Sequence, residues 1–299
     1  MKNIQDNFVS GIGNTPLIKL RAASEITGCN VYGKAEFMNP GGSVKDRPVM
    51  HIIEQAEAAG LLKPGDTICE ATSGNMGVSF AWLAAERGYR CVIIMPSNMS
   101  SERKKTLELY GAELIEVGDG DFDGAISLRD KMAEENGWFN CNQFGNKYNI
   151  EAHSFTTGQE ILNWAVDGKR TISAIVTGTG TGGTLMGCHK RIKPQFPDMK
   201  MVAVEPAESA VMSGGEPGLH GIQGIGDGSK FLVEMKNVDY IQQISTEEAK
   251  DRARDLAKTH GLFVGISAGA NILAAEKFIA SEKPDGDVVT FLCDRGDRY

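Results

Sequence analysis

Four short stretches of this sequence hold side chains or backbone that could do chemistry. The first is Asn39-Pro40-Gly41-Gly42-Ser43-Val44-Lys45-Asp46-Arg47. Pro and Gly end a strand there. Ser43 suits a helix N-cap, and Asp46, three residues on, reads as a capping-box variant. Lys45 then falls in the first helical turn, where the positive end of the dipole repels an ammonium. That field lowers the pKa of an amine, which suits a neutral nucleophile or a Schiff base; a solvated lysine is the plain alternative. The second stretch, Glu70-Ala71-Thr72-Ser73-Gly74-Asn75-Met76-Gly77, joins an apolar strand to a helix. Small hydroxyls, Gly and Asn at such a junction present backbone N–H groups at a helix N-terminus, a site for an anion such as a carboxylate.

The third stretch is Gly178-Thr179-Gly180-Thr181-Gly182-Gly183-Thr184. Its residues are too small to fill a core, but their N–H and hydroxyl donors can wrap a phosphate. Gly178, Gly180 and Gly183 also satisfy G-x-G-x-x-G, and Glu205 ends the next apolar run, where a ribose-binding acid would stand. Taken literally, that predicts an NAD(P)-dependent oxidoreductase. The fourth stretch, Gly265-Ile266-Ser267-Ala268-Gly269, spells the hydrolase nucleophile elbow. That fold needs a His after the Ser, and the last His is His260. Ser267 is left as a hydroxyl at a helix start, able to bond a ring nitrogen. Arg295-Gly296-Asp297 spells an adhesion tripeptide, a coincidence in a cytosolic chain.

Short apolar runs alternate with amphipathic stretches. Strands are expected at 31–37, 67–70, 91–95, 113–117, 173–177, 201–205, 239–244 and 288–293, and helices at 45–59, 76–87, 100–110, 122–135, 246–259 and 268–280. Alternation of this kind means α/β architecture with mainly parallel sheets. Residues 91–117 read as a complete βαβ unit and a similar unit recurs around 173–205, which favours two α/β domains. No linker or short repeat separates them, so a cleft between compact halves is the default ligand site.

The 299 residues carry 31 Lys+Arg against 39 Asp+Glu, a net charge of −8 that does not invite a nucleic-acid backbone. Apolar residues at 41% exclude disorder. The opening residues lack the apolar run of a secretory signal, and no window reaches the length of a membrane span. Six Cys and five His are scattered without metal spacing, which points to reduced core thiols in a cytoplasmic protein and no metal.

An amine, an anion loop, a phosphate loop and a lone hydroxyl together answer the needs of pyridoxal 5'-phosphate. NPGGSVKDR, TSGNMG, GTGGT at 180–184 and GISAG resemble the landmarks of the fold type II pyridoxal-phosphate enzymes, and within them the cysteine synthases (O-acetylserine sulfhydrylases). IGNTPLIKL at 12–20, MPSNMSSERKKTLELYGAEL at 95–114, NQFGNKYNIEAHSFTTGQEI at 142–161 and EPAESAVMSGGEPGLHGIQGIGDG at 205–228 extend the likeness over nearly the whole chain. The ending LCDRGDRY is similar to the B isozyme and GIQGIGDG to the A isozyme.

The resemblance implies a tryptophan synthase β-subunit-like fold with the cofactor in the interdomain cleft. It implies a large cofactor-binding domain of 1–40 plus 146–299 and a small mobile domain of 41–145. It implies formation of L-cysteine from O-acetyl-L-serine and sulfide through an α-aminoacrylate. Lys45 would be the Schiff-base lysine and move the Cα proton. Asn75 would bond the cofactor's 3′-oxygen. Thr72, Ser73, Asn75 and Gln143 would hold the substrate carboxylate, with backbone help at Gly74 and Met76. Gly180, Thr181, Gly182, Gly183 and Thr184 would cradle the phosphate, Ser267 would face the pyridine nitrogen, and Gly226 and Asp227 would lie by the substrate pocket. Met76 stands where the family has Thr, and Asp227 where it has a small residue. Cystathionine β-synthase and a sulfide-producing cysteine lyase or lanthionine synthase share the first half-reaction. A homodimer, and capture of a serine acetyltransferase C-terminal tail, are the partners implied.

Overall fold

The computed structural model describes residues 7–72 and 74–299. Ser73 therefore lies outside the described residues. The strands are β1 (Leu17–Lys19), β2 (Val31–Lys34), β3 (Thr67–Ala71), β4 (Arg90–Pro96), β5 (Glu113–Val117), β6 (Phe139–Asn140), β7 (Ile172–Gly178), β8 (Lys200–Pro206), β9 (Tyr240–Ile244) and β10 (Asp287–Phe291). The α-helices are α1 (Arg21–Thr27), α2 (Asp46–Ala58), α3 (Asn75–Arg87), α4 (Ser101–Leu109), α5 (Phe122–Asn136), α6 (Lys147–Phe155), α7 (Thr157–Asp167), α8 (Gly183–Ile192), α9 (Thr246–His260) and α10 (Ile266–Glu282).

The chain folds as two compact units. The smaller takes Lys45–Asn149 and the N-terminal residues ending at Ile12; the larger takes Gly13–Val44 and Ile150–Tyr299. These boundaries differ from the expected ones. Val9 and Ile12 pack in the core of the smaller unit, and Phe8 meets the Trp82 ring edge-on at 5.6 Å, so residues 7–12 belong there. Residues 41–44 stay with the larger unit because the Val44 N–H donates to the Cys293 carbonyl at 2.9 Å and Ser43 pairs with Asp294.

The smaller unit is built on a four-stranded parallel sheet in the order β5-β4-β3-β6. Its apolar runs work because successive side chains point to opposite faces. Ile68, Cys91, Ile93 and Met95 face one cluster with Val49, Phe80 and Leu83 of α2 and α3. Cys69, Ala71, Val92 and Ile94 face the other with Ala125 and Ala133 of α5. A strand covered on both faces must be apolar at nearly every position, and β4 is buried from Cys91 to Pro96. The larger unit carries a six-stranded sheet in the order β1-β2-β10-β7-β8-β9, parallel except where β1 meets β2. Val176, Val202, Val204 and Val288 pack with residues of α1, α9 and α10; Ile175, Met201, Ala203 and Val289 pack with residues of α7 and α8.

The expected strand over 31–37 ends at Lys34 and passes into a 3-10 turn at Glu36–Met38. Glu36 is fully buried and accepts hydrogen bonds from Thr15 and Asn39, which turns the chain before the Asn39 loop. The short strands β1 and β6 and the helices α1, α6 and α7 were not expected. β1, β6 and α1 are too short to show a period and α6 is largely polar; α7 is different, an amphipathic helix that buries Ile161 and Ala165, and its stripe is legible in the sequence.

Candidate active site

In the smaller unit, Lys45 is the residue directly before α2, with φ −75° and ψ −18°. Its carbonyl accepts the Val49 N–H at 3.2 Å, so the helix is capped at Lys45 and not at Ser43. The expected capping box is therefore corrected: the Ser43 backbone is held in an antiparallel bridge to Asp294, two residues before the cap, and no side chain among the described residues caps α2. Asp46 is fully buried, and its Oδ1 accepts from Ser79 Oγ at 2.6 Å and Trp82 Nε1 at 3.0 Å. Both donors lie on α3, so one carboxylate ties the residue after Lys45 to the helix that begins at Asn75.

That helix starts where β3 ends. Gly74 caps it, with its N–H on Thr72 Oγ1 at 3.3 Å and its carbonyl on the Gly77 N–H at 3.0 Å. A Cβ on Gly77 would stand 3.1 Å from Thr72 Cγ2, so the first turn of α3 lies tight against Thr72. Gln143 is brought to the same strand end: its N–H donates to Glu70 at 2.9 Å and its Nε2 to the Ala71 carbonyl at 3.5 Å. Thr72, Gly74, Asn75, Met76 and Gln143 thus converge on the C-terminal edge of β3. The Met76 side chain is part of the core at 2% exposure, so only its backbone faces outward chemistry.

Glu70, which carried no role in the sequence reading, anchors this edge. Its buried carboxylate accepts from the N–H of Ala71 at 2.8 Å, the N–H of Gln143, and Arg129 Nη1 at 2.7 Å. Burial pushes the Glu70 carboxyl up, and the Arg129 guanidinium works against that rise. Breaking such a pair strands a charge at a cost of about 3–5 kcal/mol. A Glu in an apolar strand and an Arg on a small-residue helix face were the available signals.

In the larger unit, the Gly/Thr loop joins β7 to α8. The Gly178 N–H donates to Asn271 Oδ1 at 2.7 Å, and Asn271 donates onward to the Phe291 carbonyl at 3.0 Å. Asn271 is fully buried among Ala268, Ala270, Ile272, Ala274 and Ala275 of α10, and a polar residue in that apolar run is a signal the sequence offers. The Thr181 carbonyl accepts from Leu232 and its Oγ1 from the Gly183 N–H, so the loop is held from both sides. Gly182 has φ +87°, and its Cβ would lie 2.6 Å from Val233 Cγ2. A Cβ on Gly180 would lie 2.5 Å from the Gly224 carbonyl oxygen. Thr184 Oγ1 stands 3.3 Å from His153 Nε2, whose other ring nitrogen meets Thr157 Oγ1 at 2.9 Å.

Gly226 belongs to this neighbourhood. Its N–H donates to the Thr179 carbonyl at 2.9 Å, and its carbonyl stands 3.1 Å from His220 Nε2. Asp227 is exposed, with Oδ2 3.1 Å from where a Gly180 Cβ would be. Ser267 is the second residue of α10, 4% exposed, and its hydroxyl makes no hydrogen bond among the described residues.

These features test the fit of pyridoxal phosphate. The N–H groups of Gly180 and Gly182 donate to no other group among the described residues, at the start of a helix whose last turn carries His189, Lys190 and Arg191. Orphan donors on a positive helix end, with no Cβ in the way, are what a phosphate needs. The buried Ser267 hydroxyl likewise wants a partner. The dinucleotide reading fails at Glu205: the carboxylate, 2% exposed, is taken by the N–H groups of Met212 at 2.7 Å and Ser213 at 3.1 Å and by the Ser213 hydroxyl at 2.5 Å. It holds its own loop rather than a ribose.

Comparison with known proteins bears on the same point. The chain is 44% identical over 298 residues to a cysteine synthase of Staphylococcus aureus, covering 98% of this chain and 95% of that protein. Among solved structures it matches cysteine synthase from Entamoeba histolytica with a TM-score of 0.93 and 39% identity, covering 100% of this chain and 90% of that one. It matches a hydrogen sulfide-producing enzyme from Fusobacterium nucleatum with a TM-score of 0.93 and 35% identity, covering 100% and 99%. The family model described as pyridoxal-phosphate dependent enzyme matches residues 9–294. With a family model matched over almost its full length and a relative 44% identical over 298 residues, the chain belongs to the family of pyridoxal-phosphate dependent enzymes.

Proposed function

We propose that this protein is a cysteine synthase, replacing the acetate of O-acetyl-L-serine by sulfide to give L-cysteine. The observation that carries the reading is the pair of orphan N–H donors of Gly180 and Gly182 at the start of α8, in a chain so close to cysteine synthases. Pyridoxal phosphate, when bound, supplies an aldehyde that condenses with amines and a ring that withdraws electrons from the substrate Cα.

The chain's own groups do the rest. Lys45 Nζ holds the cofactor, then takes the proton from Cα and later returns it there. The electron pair of that C–H bond expels acetate from Cβ, and sulfide forms the new C–S bond in its place. Thr72, Ser73, Asn75, Gln143 and the N–H groups of Gly74 and Met76 bind the substrate carboxylate, and Asn75 also holds the 3′-oxygen. Gly180 to Thr184 bind the phosphate. Ser267 would bond the pyridine nitrogen; a hydroxyl, unlike a carboxylate, would not hold that nitrogen protonated, which would suit prompt loss of the β-substituent.

A second reading, with cysteine as first substrate and release of sulfide, draws on the extra carboxylate of Asp227 beside Gly180. A homodimer, a cytoplasmic location and capture of a serine acetyltransferase tail come with the resemblance to the cysteine synthases. The test is a purified protein loaded with pyridoxal phosphate. It should absorb in the violet, and O-acetylserine with sulfide should turn over faster than cysteine alone or serine with homocysteine. Lys45→Ala should abolish the band and cut turnover by about a hundred- to ten-thousand-fold. A variant that keeps both overturns the proposal.

A further inference from the structure

The last residues, including the adhesion-like tripeptide, have a place in the larger unit that the function has not absorbed. The backbone after β10 runs between two other segments. On one side, the Cys293 carbonyl accepts the Val44 N–H at 2.9 Å, Asp294 pairs antiparallel with Ser43, and the Arg298 guanidinium donates to the Gly41 carbonyl. On the other, the Asp294 carbonyl accepts the Gly265 N–H at 3.1 Å and Arg295 pairs with Val264. Glycines mark both seams. Gly42 has φ +79°, and its Cβ would lie 2.5 Å from Arg298 Nη2. A Cβ on Gly265 would collide with the Asp294 carboxylate and stand 2.7 Å from Tyr299 Cε2. Gly296 lies against the Phe263 ring, 2.5 Å from where its Cβ would be. Tyr299 Oη donates to Asp294 Oδ2 at 2.5 Å, which closes the turn on itself.

Val44 is bonded to Lys45, and Gly265 stands two residues before Ser267. We propose that Cys293–Tyr299 is a clamp whose Arg298 and Tyr299 are positioning residues: they set the register of the segment that delivers Lys45 and of the segment that delivers Ser267. On this proposal they act through the backbone segments on either side and not on the substrate itself. The Arg295-Gly296-Asp297 run is on this account a structural seam. The inference rests on the pyridoxal-phosphate reading of Lys45 and Ser267.

The experiment compares cofactor-loaded wild type with Arg298→Ala, Arg298→Lys and Tyr299→Phe, well below their melting temperatures. Arg298→Ala should keep the violet band, lose cofactor faster on dilution and lower kcat by about tenfold. KM for O-acetylserine should stay within about twofold, since the carboxylate-binding edge of β3 is untouched. Arg298→Lys should recover most of the loss. If Arg298→Ala fails to fold, Tyr299→Phe carries the same test. A lower melting temperature with unchanged kcat and cofactor release means the tail only stabilises, and overturns the inference alone. A wild type without the violet band overturns the cofactor reading and this inference with it.

Discussion

At the scale of single residues, the glycines of the β7–α8 loop separate function from stability. The obstacle to a side chain at Gly180 is a backbone oxygen, that of Gly224, 2.5 Å from the absent Cβ, with Asp227 Oδ2 at 3.1 Å. Backbone cannot swing aside as a flexible side chain can, so Gly180→Ala must push the Gly224–Asp227 segment away from the loop. We expect it to weaken pyridoxal phosphate binding by at least about tenfold while costing only about 1–3 kcal/mol of stability. Absorbance titration with cofactor and urea denaturation measure the two; equal affinity in variant and wild type would refute it. Lys45 shows the limit of reading residues by spacing. Its type was informative, but the cap was misplaced, because Ser43 and Asp46 had partners far along the chain, at Asp294 and at Ser79 and Trp82.

At the scale of elements, α9 is the helix whose start is best defined by sequence. Ser245 and Glu248 form a complete capping box. A hydrogen bond from Lys277, with further bonds from the Ser245 backbone and hydroxyl, holds the Glu248 carboxyl down at about 2. A carboxyl lowered on folding adds stability that is present above its unfolded pKa of about 4.3 and disappears as pH falls toward its folded value. Glu248→Gln should therefore melt below wild type at pH 7, and the gap should close between about pH 4 and pH 2. Thermal denaturation across that range checks it; a gap independent of pH would contradict the assignment. The helix and strand periods were legible here because each long element buries one stripe or both faces. Of the pieces missed, β1, β6, α1 and α6 are short or polar and depend on what they dock against, whereas α7 carries a readable apolar stripe of Ile161 and Ala165.

At the scale of the whole molecule, the thiols report how the two sheets are covered. Cys69, Cys91, Cys141 and Cys188 are buried, and Cys29 and Cys293 are half-buried. Burial pushes Cys69 and Cys91 up to about 12 and Cys141 well above the usual thiol value. A protonated thiol is a poor nucleophile. A thiol-reactive chromogen at pH 8 should thus modify at most the 2 half-buried cysteines of the native protein and all 6 after denaturation. Rapid modification of more than 2 native thiols would mean that the sheet faces open.

The sequence by itself determined the α/β class, the parallel strands and the cofactor chemistry. Apolar periodicity and Gly/Thr loops are local properties, and a lysine, a Gly/Thr loop and a serine at strand and helix ends suggest by type the chemistry they could do. Tertiary structure alone decided which polar groups hold them. Asn271 on the Gly178 N–H, Glu70 with Arg129 behind Gln143, Asp46 under Ser79 and Trp82, and the tail across Val44 and Gly265 each join residues 20 or more positions apart. A buried polar side chain must find a partner, but nothing in its neighbours along the chain says which. Packing makes that choice, when it removes water from the alternatives.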